Sequence, residues 1–232
     1  MQLTYTFFPG LHGTSALFTP LVEALGDVPI ELINYPTDIS QSYDSLLDWT
    51  SKNIDWTIPR SLVAESFSGP LALRIAELQS HSVRALTLAA SFCASPTNPS
   101  LALLPLRPLM LLRPTKGALR HFLIGEEASE QEVEELRNTV RSIPAKILSQ
   151  RIRAILSLEE NQCPKLENLP IQILQAQNDT MIHWEAQNQL RMQYEHATTH
   201  WLDAPHLILQ THPRECAILI KEFSTQQIAH YA

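Results

Sequence analysis

The stretch Ser61-Leu62-Val63-Ala64-Glu65-Ser66-Phe67-Ser68-Gly69-Pro70-Leu71 decides the fold. Its first five residues read as a buried strand, and Leu71, Leu73, Ile75 and Leu78 continue as a helical run. Pro70 sits where the first turn of a helix tolerates a missing N–H. Strand, tight turn and helix are therefore contiguous, with no loop between them. Such a turn lifts a serine hydroxyl above the sheet edge, and its cramped backbone demands small side chains two places either side. Around Ser66 those places hold Ala64 and Ser68, and Gly69 adds room where the helix begins. The plainer reading is that Ser66 or Ser68 only caps the following helix. Ser68 fits a nucleophile position less well, because Pro70 would then fill a place that wants a small, flexible residue.

Outward from this turn the chain alternates short apolar runs with helical patterns, as a largely parallel sheet flanked by helices requires. Strands are predicted at Leu3 to Phe8, Ile30 to Tyr35, Ser61 to Glu65, Val83 to Ala90, Ile171 to Gln175 and Thr198 to Leu202. Helices are predicted around Leu21 to Leu25, from Tyr43 to Ile54, after Pro70, from Trp184 to Tyr194, and from Pro213 to Phe223. Between Ala94 and Glu160 the grammar changes: no strand is convincing, while Glu130 to Val140 and Ala145 to Leu158 read as helices. This predicts a single α/β core from residues 1–93 and 161–232, interrupted by a helical cap at 94–160.

The bulk properties narrow the function. At 232 residues and 44% hydrophobic content the chain fills one α/β core. The longest apolar stretch, Leu101 to Leu112, is broken by Pro105, Arg107 and Pro108, so no membrane span is expected. Met1 to Tyr5 carries no basic region, and a cytoplasmic location is the expectation. Three cysteines (Cys93, Cys163, Cys216) without CxxC spacing suggest neither a disulfide framework nor a zinc cluster. His200, His206 and His212 recur every six residues, a spacing that suits no zinc motif. A net charge of −7 argues against nucleic-acid binding, which needs a basic footprint. The charge is uneven, however: residues 105–157 carry +3 and the remainder −10.

A serine hydroxyl needs a base to take its proton, and the base needs an acid to orient it. The sequence Ala64-Glu65-Ser66-Phe67-Ser68-Gly69 resembles the G-x-S-x-G nucleophile motif of α/β-hydrolases, with both motif glycines replaced. That resemblance implies the order Ser, acid, His along the chain. Asp179 follows the apolar run Ile171 to Gln175, where the resemblance places the acid. His206 lies in Trp201-Leu202-Asp203-Ala204-Pro205-His206, which looks like the terminal strand and histidine loop. Asp203 and His212 are the alternatives, the former only three residues before His206. An Asp after a strand is also commonly an Asx-turn.

The resemblance further implies two backbone N–H donors for the charge that develops on a substrate carbonyl oxygen. One falls on Phe67. The other falls on Leu11 within Phe7-Phe8-Pro9-Gly10-Leu11, with a residue after His12-Gly13 as the alternative and a mere turn as the plain reading. It implies a sheet without the family's first two strands, no cofactor, and a carboxylesterase acting on small-molecule esters of small or medium acyl groups through an acyl-enzyme. Leu101, Leu103, Leu104, Leu109, Met110, Leu111 and Leu112 are candidates to line an acyl pocket, against ordinary cap packing. The small core with a basic cap is similar to the pimeloyl-acyl-carrier-protein methyl ester carboxylesterases. That similarity implies exposed Arg137, Arg141, Arg151 and Arg153 meeting an acidic acyl carrier protein, where solvation is the ordinary explanation. Another carrier-linked ester or thioester hydrolase and a non-catalytic binding module on the same scaffold are the remaining alternatives.

Overall fold

A computed structural model describes residues 3–97, 100, 101, 104, 106–159 and 162–230. Six strands form one parallel sheet: β1 (Thr4–Phe8), β2 (Ile30–Leu32), β3 (Arg60–Glu65), β4 (Val83–Ala89), β5 (Ile171–Ala176) and β6 (Thr198–Leu202). Their order is β2-β1-β3-β4-β5-β6, with every neighbouring pair parallel. The chain runs outward from β1 to β2 and then reverses through β3 to β6. The reversal leaves a crevice at the carboxyl ends of β1 and β3, the place where open parallel sheets bind ligands.

The central strands are apolar on both faces because helices cover both. On one face Phe8, Leu62, Ala64 and Ile173 meet α2 (Tyr43–Asn53) and α3 (Gly69–Leu78) through residues such as Leu46, Leu71 and Ile75. On the other, Phe7, Val63, Leu174 and Ala176 meet α1 (Thr19–Leu25), and Cys216 and Ile220 of a long C-terminal helix. Successive residues of one strand serve opposite faces, as a period of two dictates. Full burial of each large apolar side chain contributes about 1.5–3 kcal/mol.

Between β4 and β5 the described residues form only helical turns: α4 (Leu106–Leu109), α5 (Lys116–Leu119), a π-turn (Arg120–Ile124), α6 (Glu130–Ser142) and α7 (Ala145–Leu156). α6 starts at a capping box in which Ser129 and Glu132 satisfy each other's backbone N–H. Leu119, Ile124, Val133 and Leu136 bury themselves against Leu207, giving this segment its own small core. The remaining helices are α8 (Trp184–Gln193), α9 (Ile208–Thr211) and α10 (Pro213–His230).

Most boundaries fall within two residues of expectation, and two differ by more. β2 stops at Leu32 instead of Tyr35, because Ile33 N–H still reaches Phe7 but Tyr35 N–H turns to the carbonyl of Gly13. Asn34 meanwhile turns its side chain onto Ser15 N–H, 2.8 Å away. α10 continues past Phe223, because Ser224 is buried and pairs with Ser61 of β3 at 2.9 Å, which anchors another turn. Among the described residues no helix is long and apolar enough to cross a membrane.

Candidate active site

The residues singled out at Ser66, Asp179 and His206 come from the carboxyl ends of β3, β5 and β6, and the fold brings them together. Ser66 has φ of 47°, a left-handed conformation that a non-glycine residue adopts only when the surroundings impose it. Those surroundings are visible. The Ser66 carbonyl accepts from Ser91 Oγ at 2.8 Å, and Phe67, fully buried, stacks on Tyr43 at 5.1 Å while Tyr43 Oη donates to its carbonyl. The two replaced motif glycines are explained by packing. Ala64 and Ser68 are fully buried, and the Ser68 hydroxyl is satisfied by Tyr35 Oη at 2.6 Å and by the Pro9 carbonyl. Glycine is required one place later, since a Cβ on Gly69 would lie 1.8 Å from Ser91 Oγ.

Asp179 is at once the Asx-turn of the plain reading and an imidazole partner. Its Oδ1 accepts from the N–H groups of Met181 (2.8 Å) and Ile182 (2.9 Å), and its Oδ2 lies 2.7 Å from His206 Nδ1. The carboxylate side chain is fully enclosed. The network assigns a proton to Nδ1, leaving Nε2 to accept from Ser66 Oγ at 3.0 Å. Burial pulls the His206 imidazole down, but the charge and hydrogen bond of Asp179, with Glu65 beyond, outweigh it and raise it above the usual value of 6.5. The alternatives lie elsewhere: Asp203 accepts from Asn178 at the surface, and His212 Nδ1 bonds its neighbour Thr211.

The Pro9–Gly13 loop follows β1 and faces the Ser66 turn. Gly10 N–H donates to Glu65 Oε2 at 3.3 Å, and Gly13 N–H closes a turn onto the Gly10 carbonyl at 2.9 Å. Leu11 lies between them and, with Gly10 and Ser66, lines a cavity of about 370 Å³. Phe67 N–H is one of the donors that the start of a helix leaves without an intrahelical partner. His12 also lines this cavity; its imidazole is held down at about 4 by burial, hence neutral.

The cavity runs from Ser66 and His206 into the helices between β4 and β5, against Leu123, Leu136, Val140, Leu148, Ile152 and Ile155. Three larger clefts, of about 640, 610 and 440 Å³, reach neither Ser66 nor His206. Of the apolar residues expected to line an acyl pocket, Met110 and the largely exposed Leu112 do so, while Leu101, Leu104 and Leu111 are exposed and do not. Leu103 and the side chain of Leu109 lie outside the described residues. The inner wall comes instead from α6 and α7, whose inward stripes at Leu136 and Val140 and at Leu148 and Ile152 carry the helical spacing that signals a shared face.

The arginines divide. Arg141 and Arg153 are exposed and, among the described residues, form no salt bridge; Arg137 pairs with Glu134 at 3.3 Å. Arg151 corrects the expectation of an exposed basic face. It is 1% exposed, its Nε donating to Gln41 Oε1 and its Nη1 to the Leu11 carbonyl, both at 2.9 Å. It occupies the inward stripe of α7, where a long side chain with five donors can reach the core backbone. The sequence pattern also placed no weight on Glu65, a fully buried carboxyl beside the Ser66 turn, although an acidic residue closing an apolar strand was a signal in plain view.

No protein-family profile matches the chain, and no curated protein matches it. Solved structures do. A carboxylesterase of the thaumarchaeon Nitrososphaera gargenis superposes with a TM-score of 0.79 at 9% identity, over 99% of this chain and 92% of its own. An esterase from Exiguobacterium antarcticum gives 0.81 at 12% identity, over 96% and 92%. MenH from S. aureus gives 0.74 at 13%, over 97% and 94%. With identity this low and coverage this complete, what is shared is the architecture: the chain has the α/β-hydrolase fold.

Proposed function

We propose that this protein is a serine hydrolase that cleaves carboxylic esters of apolar, medium-length acyl groups. The observation that carries the reading is the continuous line of hydrogen bonds from Ser66 Oγ through His206 to Asp179, opening onto the apolar cavity. In this reading Ser66 Oγ attacks the ester carbonyl as its proton passes to His206 Nε2, and Asp179 stabilises the imidazolium. The N–H groups of Phe67 and Leu11 receive the oxyanion. The alcohol leaves with the proton held on Nε2, and water, deprotonated by the same nitrogen, releases the acid and restores Ser66.

The acyl group takes the apolar cavity because few lining groups could pair with a charge. Arg113 is occupied by the carbonyls of Val140 and Ile143 at the end of α6. A volume of about 370 Å³ falls within the range of ligand pockets, about 300–1,000 Å³. The helices of residues 94–160 then act as the cap that shapes the acyl site. Labelling with a fluorophosphonate tests the nucleophile: the expected result is a single adduct on the peptide containing Ser66, absent in Ser66→Ala. Labelling elsewhere, or none, would count against the reading.

A second reading, an acyl ester borne on an acidic carrier protein, is favoured by exposed Arg141 and Arg153 within residues 105–157, which carry +3 while the remainder of the chain carries −10.

A further inference from the structure

Arg151 stands out among the groups the proposed chemistry does not use. It is one of the largest fully buried side chains in the protein, yet no carboxylate among the described residues forms a salt bridge with it. An unpaired buried charge is costly, and burial pulls this guanidinium down to about 10. A charge kept under those conditions must be held by dipoles. Those observed are the Leu11 carbonyl and the Gln41 side-chain carbonyl, with the face of Tyr35 at 5.6 Å.

The partners lie far from Arg151 in sequence and cluster in one place. Leu11 is 140 residues away, in the loop after β1, and Gln41 is 110 residues away, just before α2. Gly13, the end of that loop, has φ of +72° and lies flush against the guanidinium: a Cβ there would fall 2.0 Å from Nη1. The loop is held on its other side by Glu65, whose Oε2 accepts from Gly10 N–H, and by Tyr35 N–H, which donates to the Gly13 carbonyl at 2.9 Å. Cap helix α7 thus reaches through one side chain to the backbone that presents Leu11 N–H.

We propose that Arg151 is a positioning residue: a latch from the cap that sets the Gly10–Gly13 loop, so that a competent oxyanion site exists only while α7 is docked. What the loop does for catalysis rests on the hydrolase reading; the latch itself does not. A planar guanidinium fixes two acceptors at once, which neither a lysine nor a methionine can reproduce. Displacing an oxyanion donor by about 1 Å costs about a hundredfold in turnover.

The test combines amide hydrogen exchange with kinetics on wild type, Arg151→Met, Arg151→Lys and Gln41→Leu. Exchange at Gly13 and Tyr35, whose N–H groups close the loop, is expected to quicken at least tenfold in Arg151→Met, with the strands unchanged. Turnover of a butyrate ester, counted per phosphonate-titratable site, is expected to fall about a hundredfold with KM within about twofold. Arg151→Lys should recover only part, and Gln41→Leu, which removes one acceptor of the guanidinium together with the Nε2 bonds to the Pro36 and Ile39 carbonyls, should fall between wild type and Arg151→Met. If Arg151→Met does not fold, the exchange and kcat of Gln41→Leu and Arg151→Lys decide the matter. Unchanged loop exchange with unchanged kcat in the folded variants overturns the latch. A wild type without esterase activity but with a loosened loop in Arg151→Met overturns the hydrolase reading and leaves the latch standing.

Discussion

Ser66 Oγ and His206 Nε2 lie 3.0 Å apart although 140 residues separate them in the chain. Neither residue is placed by its neighbours in sequence alone. The serine is set by a strained turn that Ser91, Phe67 and Tyr43 hold, and the imidazole by Asp179 and by Leu207, whose N–H bonds the Leu123 carbonyl at 2.9 Å. The pair therefore depends on the sheet and on the helical segment between β4 and β5 together.

The His206–Asp179 contact makes a prediction about pH. The imidazole must be neutral to accept the serine proton, and Asp179 raises its pKa above 6.5. Activity should therefore fall as pH drops through a value above 6.5. Asp179→Asn should remove that upward pull, move the acid limb to lower pH, and cut kcat by about a thousandfold or more. A kcat/KM profile from pH 5 to 9 would check both, and an unshifted limb would contradict the assigned role.

Chain-length preference should reside in α7. Replacing Ile152 by Trp fills the inner cavity, and overpacking of about 1–3 kcal/mol corresponds to a loss of about fivefold or more against octanoate esters. Butyrate esters should be nearly unaffected. Equal losses on both would place the acyl group outside this cavity.

Glu65 gives a stability test independent of substrate. Burial raises its carboxyl above 4.5, so the folded protein binds this proton more tightly than the unfolded chain does. Wild-type stability should therefore contain a component that is full below about pH 4.5 and is lost as pH rises towards the folded-state pKa. Glu65→Gln keeps the shape but cannot titrate. Its melting temperature relative to wild type should be higher at pH 8 than at pH 5; a constant difference would mean that Glu65 is ionised in both states.

The carrier reading is separable by charge. Reversal at Arg141 and Arg153, both exposed, should weaken KM for a carrier-bound ester and spare a free butyrate ester. Equal effects on both substrates would remove the carrier from consideration.

Much of this was legible in the sequence because it is local. Strand, turn and helix around Ser66 are written in consecutive residues, and the six strands carry their own apolar runs. Ser66, Asp179 and His206 are marked as candidates by their order and by their place after strands. What escaped was set by packing across long separations. Arg151 reads as one of several basic residues on a helix, and only the docking of α7 over Leu11 and Gln41 makes it a buried latch. The same holds for the apolar cavity: the Leu101 to Leu112 run drew attention by composition, while the inner wall lies on α6 and α7.

The central claim is that Ser66 is the nucleophile of an ester hydrolase, and steady-state hydrolysis of 4-nitrophenyl octanoate by wild type and Ser66→Ala tests it most directly. The expected result is saturable turnover by the wild type and a loss of at least about a thousandfold in kcat in a variant that still folds. Equal activity in the two proteins, or none in either, would contradict it.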